Sequence, residues 1–127
     1  EVTRGTIGGA GGPQRLPRLI GETRAKEMIF TGREITAETA REWGLVNGVF
    51  TAGSLLEETL NLAEEIARNS PYAVARAKRS VNGGREMLLE EALEWERSLF
   101  GECGESRDRK EGMTAFLEKR PRIFTGE

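Results

Sequence analysis

The chain has no histidine and a single cysteine, Cys103. Without histidine there is no Ser-His-Asp or Cys-His triad, and the commonest metal ligand is missing. One cysteine without histidine leaves no zinc site of usual spacing, so no metal centre is expected. A lone cysteine forms no internal disulfide, which makes a reducing compartment the default. Cys103 lies near Glu102 and Glu105, and acidic neighbours do not favour a thiolate. An ordinary thiol is expected there. Every apolar run is too short to span a bilayer, and the sequence contains no secretory-signal pattern, so no membrane partner is expected. Net charge is −2 with 31% charged residues, which points neither to nucleic acid nor to a polyanionic tail. Proton chemistry in this chain is left to carboxylates, lysine, tyrosine or cysteine.

What is present is mostly helical periodicity, with no repeat or low-complexity segment. At 127 residues the chain can bury one real core. Glu22 and Lys26 form an i,i+4 pair on a helix reaching Phe30, and Gly32 is its expected stop. Thr36 is an N-cap for a short helix with Ala37, Ala40 and Trp43 on its apolar side, ended by Gly44. Leu45 to Phe50 is β-prone and is the one expected strand. Leu56, Leu60, Ala63 and Ala67 give a helical stripe. Ser70-Pro71 starts a helix to about Val81, and Asn82-Gly83-Gly84 is expected to break it. The next helix carries Leu88, Ala92, Trp95 and Leu99 on one face, with Glu90, Glu91, Glu94 and Glu96 on a solvated side. A last helix starts near Ser106, carries Met113, Phe116 and Leu117, and stops at Pro121. The fold class is therefore mainly α with one short strand. A single strand cannot make its own sheet, so a partner segment is expected.

The chain opens on a glutamate followed by a glycine-dense turn, EVTRGTIGGAGGPQRL. Gly5, Gly8, Gly9, Gly11 and Gly12 can adopt φ > 0 and leave the main chain open to a ligand. PQRLPRLI then reads as a short helix with Pro13 in its first turn. The spacing is not a Walker A loop, because Gly12 is followed by Pro13 rather than lysine. These words, Glu-Val-x-x-Gly-Thr-Ile-x-Gly-Ala-Gly-Gly-x-Gln-Arg-Leu-Pro-Arg, resemble the second active-site segment of the enoyl-CoA hydratase/isomerase, or crotonase, family. The likeness continues through Ala25-Lys26-Glu27-Met28-Ile29-Phe30-Thr31-Gly32, Ile35-Thr36-Ala37-Glu38, Trp43-Gly44-Leu45-Val46-Asn47 and Ala77-Lys78-Arg79-Ser80-Val81-Asn82. It ends with Glu111-Gly112-Met113-Thr114-Ala115-Phe116-Leu117-Glu118-Lys119-Arg120. Two departures are Gly8, where many relatives have proline, and Pro13, where threonine is common.

The resemblance implies the C-terminal half of a crotonase-like α/β fold. Residues 1–52 would end the catalytic core and 53–127 would be a helical oligomerisation region. Family subunits are about twice as long. The absent half would carry the acyl-CoA oxyanion hole and a first catalytic glutamate. The implied reaction is addition of water to a 2-enoyl-CoA thioester. Enoyl-CoA isomerisation, another crotonase reaction, or a non-catalytic helical module are the alternatives. Glu1 matches the family glutamate linked to proton delivery at the α-carbon. The Gly9 N–H matches a backbone contact that fixes the catalytic water or glutamate. Phe100 matches an aromatic beside the acyl-CoA, and Lys119 a lysine near the adenosine phosphate. Taken alone, Glu1 reads as a solvated residue, Gly9 as a turn glycine, Phe100 as core and Lys119 as a surface charge. No cofactor is implied, since coenzyme A is part of the substrate. The implied partners are that acyl-CoA, the absent half and further copies in a trimer or a dimer of trimers. The implied location is the cytoplasm, with the mitochondrial matrix left open.

Overall fold

Three hydroxyl side chains start helices where the sequence places them. In the computed structural model, which describes residues 1–127, Thr36 accepts a hydrogen bond from the Thr39 N–H at 3.1 Å and opens α3 (Ala37–Glu42). Ser70 accepts from the Ala73 N–H at 3.0 Å and opens α5 (Pro71–Gly84). Ser106 accepts from the Arg109 N–H at 3.1 Å and opens α7 (Arg107–Glu118). Each such cap stabilises its helix by about 1 kcal/mol. The remaining helices are α1 (Gly12–Ile20), α2 (Glu22–Thr31), α4 (Leu55–Ala67) and α6 (Leu89–Glu105), and a 3₁₀ turn spans Val2–Arg4. Gly11 and Gly5 take left-handed φ values of 88° and 78° at the ends of the glycine turn.

The chain divides into two compact units, Glu1–Leu56 and Glu57–Glu127. In the first, α1 packs on α2, the 3₁₀ turn packs on α2, and Ile20, Ala25 and Ala40 are buried. In the second, α5 and α6 form an antiparallel pair. Gly84 faces Ala92, Gly83 faces the Trp95 indole, and Arg76 pairs with Glu102 at 3.0 Å. Leu99 and Ala115 are the buried apolar residues of this unit.

Three expectations are corrected. Leu45–Phe50 is not a strand; it runs through bends into chain without regular structure. A β-segment is held by ladder bonds to a neighbour, and this chain supplies no second strand. Asn82-Gly83-Gly84 does not break its helix, because α5 continues through Gly84. A Cβ at Gly83 would lie 3.1 Å from Trp95 Nε1, and one at Gly84 3.4 Å from the Ala92 Cβ. The two glycines let α6 approach closely, which offsets their weak helix propensity of about 1 kcal/mol each. Finally, α7 stops at Glu118, ahead of Pro121, because Lys119 takes φ 54° and closes the helix in the left-handed conformation.

The expected apolar stripes are only partly covered. Leu56, Leu60, Met113, Phe116 and Leu117 are all exposed, as are Glu90, Glu91, Glu94 and Glu96. The chain's own core is small for its length.

Residues 120–127 fold back along α7 and are held by two carboxylates one turn apart. Glu111 takes a bidentate pair from Arg120 at 2.6 and 2.8 Å and accepts the Ile123 N–H at 2.9 Å. Asp108, buried, accepts the Ser70 hydroxyl at 2.5 Å and the Thr125 and Gly126 N–H groups at 2.8 and 3.1 Å. Burial pushes the Asp108 carboxyl up, but the Ser70, Thr125 and Gly126 hydrogen bonds together outweigh it and hold the carboxyl below its ordinary value. The Arg120 hydrogen bonds, with the Ile123 N–H, bring Glu111 down from 4.5 to about 2. A carboxyl lowered on folding contributes stability above its unfolded value and loses it as pH falls towards the folded one. The fold should therefore melt progressively lower as pH drops from the ordinary carboxylate range towards 2. Glu111→Gln should flatten part of that slope in thermal melts followed by circular dichroism. An unaltered slope in Glu111→Gln would contradict the assignment to this pair.

Candidate active site

The first unit brings Glu1 to the glycine turn. The 3₁₀ turn fixes the Glu1 backbone: its carbonyl accepts the Arg4 N–H at 2.8 Å and the Thr6 N–H at 3.3 Å. Gly5, in the left-handed region, closes this turn with its N–H on the Val2 carbonyl at 3.1 Å. The chain then doubles back so that Gly8 sits between Glu1 and Pro13. A Cβ at Gly8 would lie 3.3 Å from Pro13 Cδ and 3.9 Å from the Glu1 carboxyl carbon. Glycine at this position lets the turn approach the carboxylate. It also accounts for Pro13, whose ring packs where a larger residue at Gly8 would stand.

Glu1 borders a cleft of about 340 Å³ whose walls include Gly8, Pro13, Met28, Ile29 and Arg33. The cleft pairs a carboxylate with apolar side chains. In this chain Glu1 is exposed. Gly9 is also exposed and lies outside the cleft's lining, with no atom within 4 Å of where its Cβ would be. None of the chain's hydrogen bonds uses the Gly9 N–H. Met28, Ile29 and Arg33 were not among the residues singled out from the sequence. The signal was the apolar i,i+1 pair late in α2, one turn ahead of Gly32. A larger groove of about 530 Å³ runs along α1 and α2 past Ile7, Pro17, Ala25 and Phe30, and contains neither Glu1 nor Gly9.

Phe100 and Lys119 belong to the second unit. Phe100 is 75% exposed, which removes the core reading for it in this chain. Its neighbour Leu99 takes the buried position, and the next residue of a helix points about 100° away. Phe100 edges a groove of about 340 Å³ between α5 and α6 with Ala77, Val81 and Cys103. Lys119 does not line that groove. It is the one non-glycine residue with positive φ, and its ammonium makes no ion pair. The structure thus places Glu1 and Gly9 on one turn, and Phe100 and Lys119 on separate features of the other unit.

Known proteins match this arrangement along the whole chain. The family model described as enoyl-CoA hydratase/isomerase covers residues 1–127. A mitochondrial enoyl-CoA hydratase of Pongo abelii is 48% identical over 98% of this chain and 43% of its own length. The 2,3-dehydroadipyl-CoA hydratase of Escherichia coli K12 is 43% identical over 99% of this chain and 49% of its own. The crystal structure of an enoyl-CoA hydratase from Bacillus anthracis superposes with a TM-score of 0.94 at 45% identity, covering 99% of this chain and 49% of that one. The chain spans about half the length of the curated relatives it matches. With glutamate, glycine turn and helical scaffold all in family order, this chain belongs to the enoyl-CoA hydratase/isomerase family.

Proposed function

We propose that the whole protein hydrates 2-enoyl-CoA thioesters, and that this chain supplies one of its two acid/base carboxylates, Glu1. The observation that carries the reading is the Glu1 carboxyl lying beside the Gly8–Pro13 turn on the lining of a cleft with apolar walls. In the reaction a water loses a proton to a carboxylate of the other half and its oxygen bonds to the β-carbon. The α-carbon takes a proton from the Glu1 carboxyl, and the two carboxylates exchange the proton balance through the next water. The free Gly9 N–H is the group we assign to holding that water or the carboxylate. Relatives named as hydratases support this reading over isomerisation. Isomerisation would move a proton between two carbons with no oxygen gained.

Phe100 and Lys119 are our assigned contacts for coenzyme A, with Lys119 reaching the adenosine phosphate in an adjacent copy of a trimer or dimer of trimers. The bare faces of α4 and α7 suit such packing. No helix is long and apolar enough to cross a membrane. We place the protein in the cytoplasm, with the mitochondrial matrix as the alternative.

The test is the product formed by the whole protein from a short 2-enoyl-CoA in ¹⁸O-water. A 3-hydroxyacyl-CoA carrying the label supports hydration. An unlabelled shifted enoyl isomer overturns it. In the same assay Lys119→Ala should raise KM about tenfold or more, at constant assembly mass by light scattering, since a charge-assisted phosphate contact contributes about 1.5–3 kcal/mol. Alanine shares the left-handed strain of lysine, so the substitution isolates the ammonium. An unchanged KM would remove Lys119 from the binding residues.

A further inference from the structure

We propose that Gly32 is a positioning residue for the Glu1 carboxyl, acting through Thr3 and the 3₁₀ turn; this rests on the reading of Glu1 given above. Gly32 closes α2 with φ 65°, its N–H on the Met28 carbonyl at 3.0 Å. That role alone explains a glycine by conformation. The structure shows a second demand on the same residue. A Cβ at Gly32 would lie 3.0 Å from Thr3 Cγ2 and 3.8 Å from Val2 Cγ2. Thr3 and Val2 are two of the three residues of the 3₁₀ turn. That turn is what fixes the Glu1 main chain, through the Arg4 and Thr6 N–H groups on the Glu1 carbonyl. Gly32 also lines the Glu1 cleft itself, together with Met28 and Ile29 from the same helix.

The end of α2 is therefore a flat stop on which the turn carrying Glu1 rests. Thr3 has a branched side chain with few staggered positions, so relieving its methyl takes a change of rotamer or a shift of the turn. A Cβ at Gly32 forces Thr3 to give by a few tenths of an ångström, and in the proposed role the turn takes up that shift. On the other side the carboxyl is bounded by Gly8, where a Cβ would come within 3.9 Å. Glu1 is held between two glycines, one beneath its turn and one beside its carboxyl. A displacement of about 1 Å in a reacting group lowers rate by about 10², so a few tenths corresponds to about three- to tenfold.

The experiment compares Gly32→Ala, Thr3→Ser, the double variant and Glu1→Gln in the whole protein, reading kcat, KM and Tm. Gly32→Ala should lower kcat about three- to tenfold with KM within about twofold. Serine lacks the Thr3 methyl. The double variant should therefore regain most of kcat while its Tm stays low, because the left-handed strain of alanine persists. A structural cap alone would move Tm and leave kcat in place, and that result overturns the proposal. So does a double variant that regains nothing. If Gly32→Ala does not fold, Gly32→Asn presents the same Cβ in a residue that tolerates left-handed backbone, and the same pair of outcomes applies. Glu1→Gln separates the two levels. If it leaves kcat intact, the assignment of Glu1 fails; if it abolishes turnover while Gly32→Ala is silent, only the positioning role fails.

Discussion

Glu1→Gln in the whole protein is expected to lower kcat by about 10²–10⁴, the usual share of a positioned general acid or base. Glutamine keeps the size of the side chain and its carbonyl acceptor, but it has no proton to give to the α-carbon. The 3₁₀ turn is held by the Glu1 main-chain carbonyl, not by its side chain, so the fold at the cleft should survive the change. KM should stay within about threefold, because the proposed role has the carboxyl acting on the reacting carbons and not on the nucleotide end of coenzyme A. Steady-state kinetics on a short 2-enoyl-CoA, beside a melt to confirm the fold, measures both. A variant within about threefold of the parent in kcat would take Glu1 off the catalytic list.

Much of the helical scaffold was legible because local chemistry specifies it. Thr36, Ser70 and Ser106 are hydroxyl caps that act within three residues; Thr36 and Ser70 cap where caps were expected, and Ser106 caps the helix expected to start near it. Gly32 and Gly44 end their helices for the same local reason. Failures came where a distant residue decides. Gly83 and Gly84 look like a break in one dimension, yet Trp95 and Ala92 use their bareness to pack. Leu45–Phe50 has strand composition, but a strand is defined by its neighbour. The site divides the same way. Glu1 and the glycine turn were visible as adjacent words. Gly32 beneath Thr3 was not, because that contact joins residues 29 positions apart; in the other unit, Asp108 beneath Thr125 and Ser70 was hidden for the same reason, at 17 and 38 positions. Phe100 shows the limit of periodicity: Leu99 and Phe100 are both apolar, and only the packed helix says which one faces in.

Expressed alone, the 127 residues are expected to give no measurable hydration of a short 2-enoyl-CoA. Relatives of the family are about twice the chain's length, and the resemblance assigns the oxyanion hole and a second glutamate to the half outside it. Oxyanion donors contribute about 10²–10³ in rate. A paired carboxylate contributes about 10²–10⁴ more. The two act on different atoms of the same transition state, so their loss together leaves Glu1 with no activated water and no stabilised enolate. The cleft points the same way from its geometry: Glu1 is exposed to bulk water in this chain. Only Ile20, Ala25, Ala40, Leu99 and Ala115 are buried apolar residues, so the exposed faces should also draw the chain into association at micromolar concentration. Product analysis by chromatography, with the matching N-terminal half of a relative added in a parallel sample, tests the claim. Silence from the chain alone and turnover on adding that half is the expected pair of results. Turnover by the verified 127-residue chain within about tenfold of a whole relative would show that neither the missing donors nor a second carboxylate is needed.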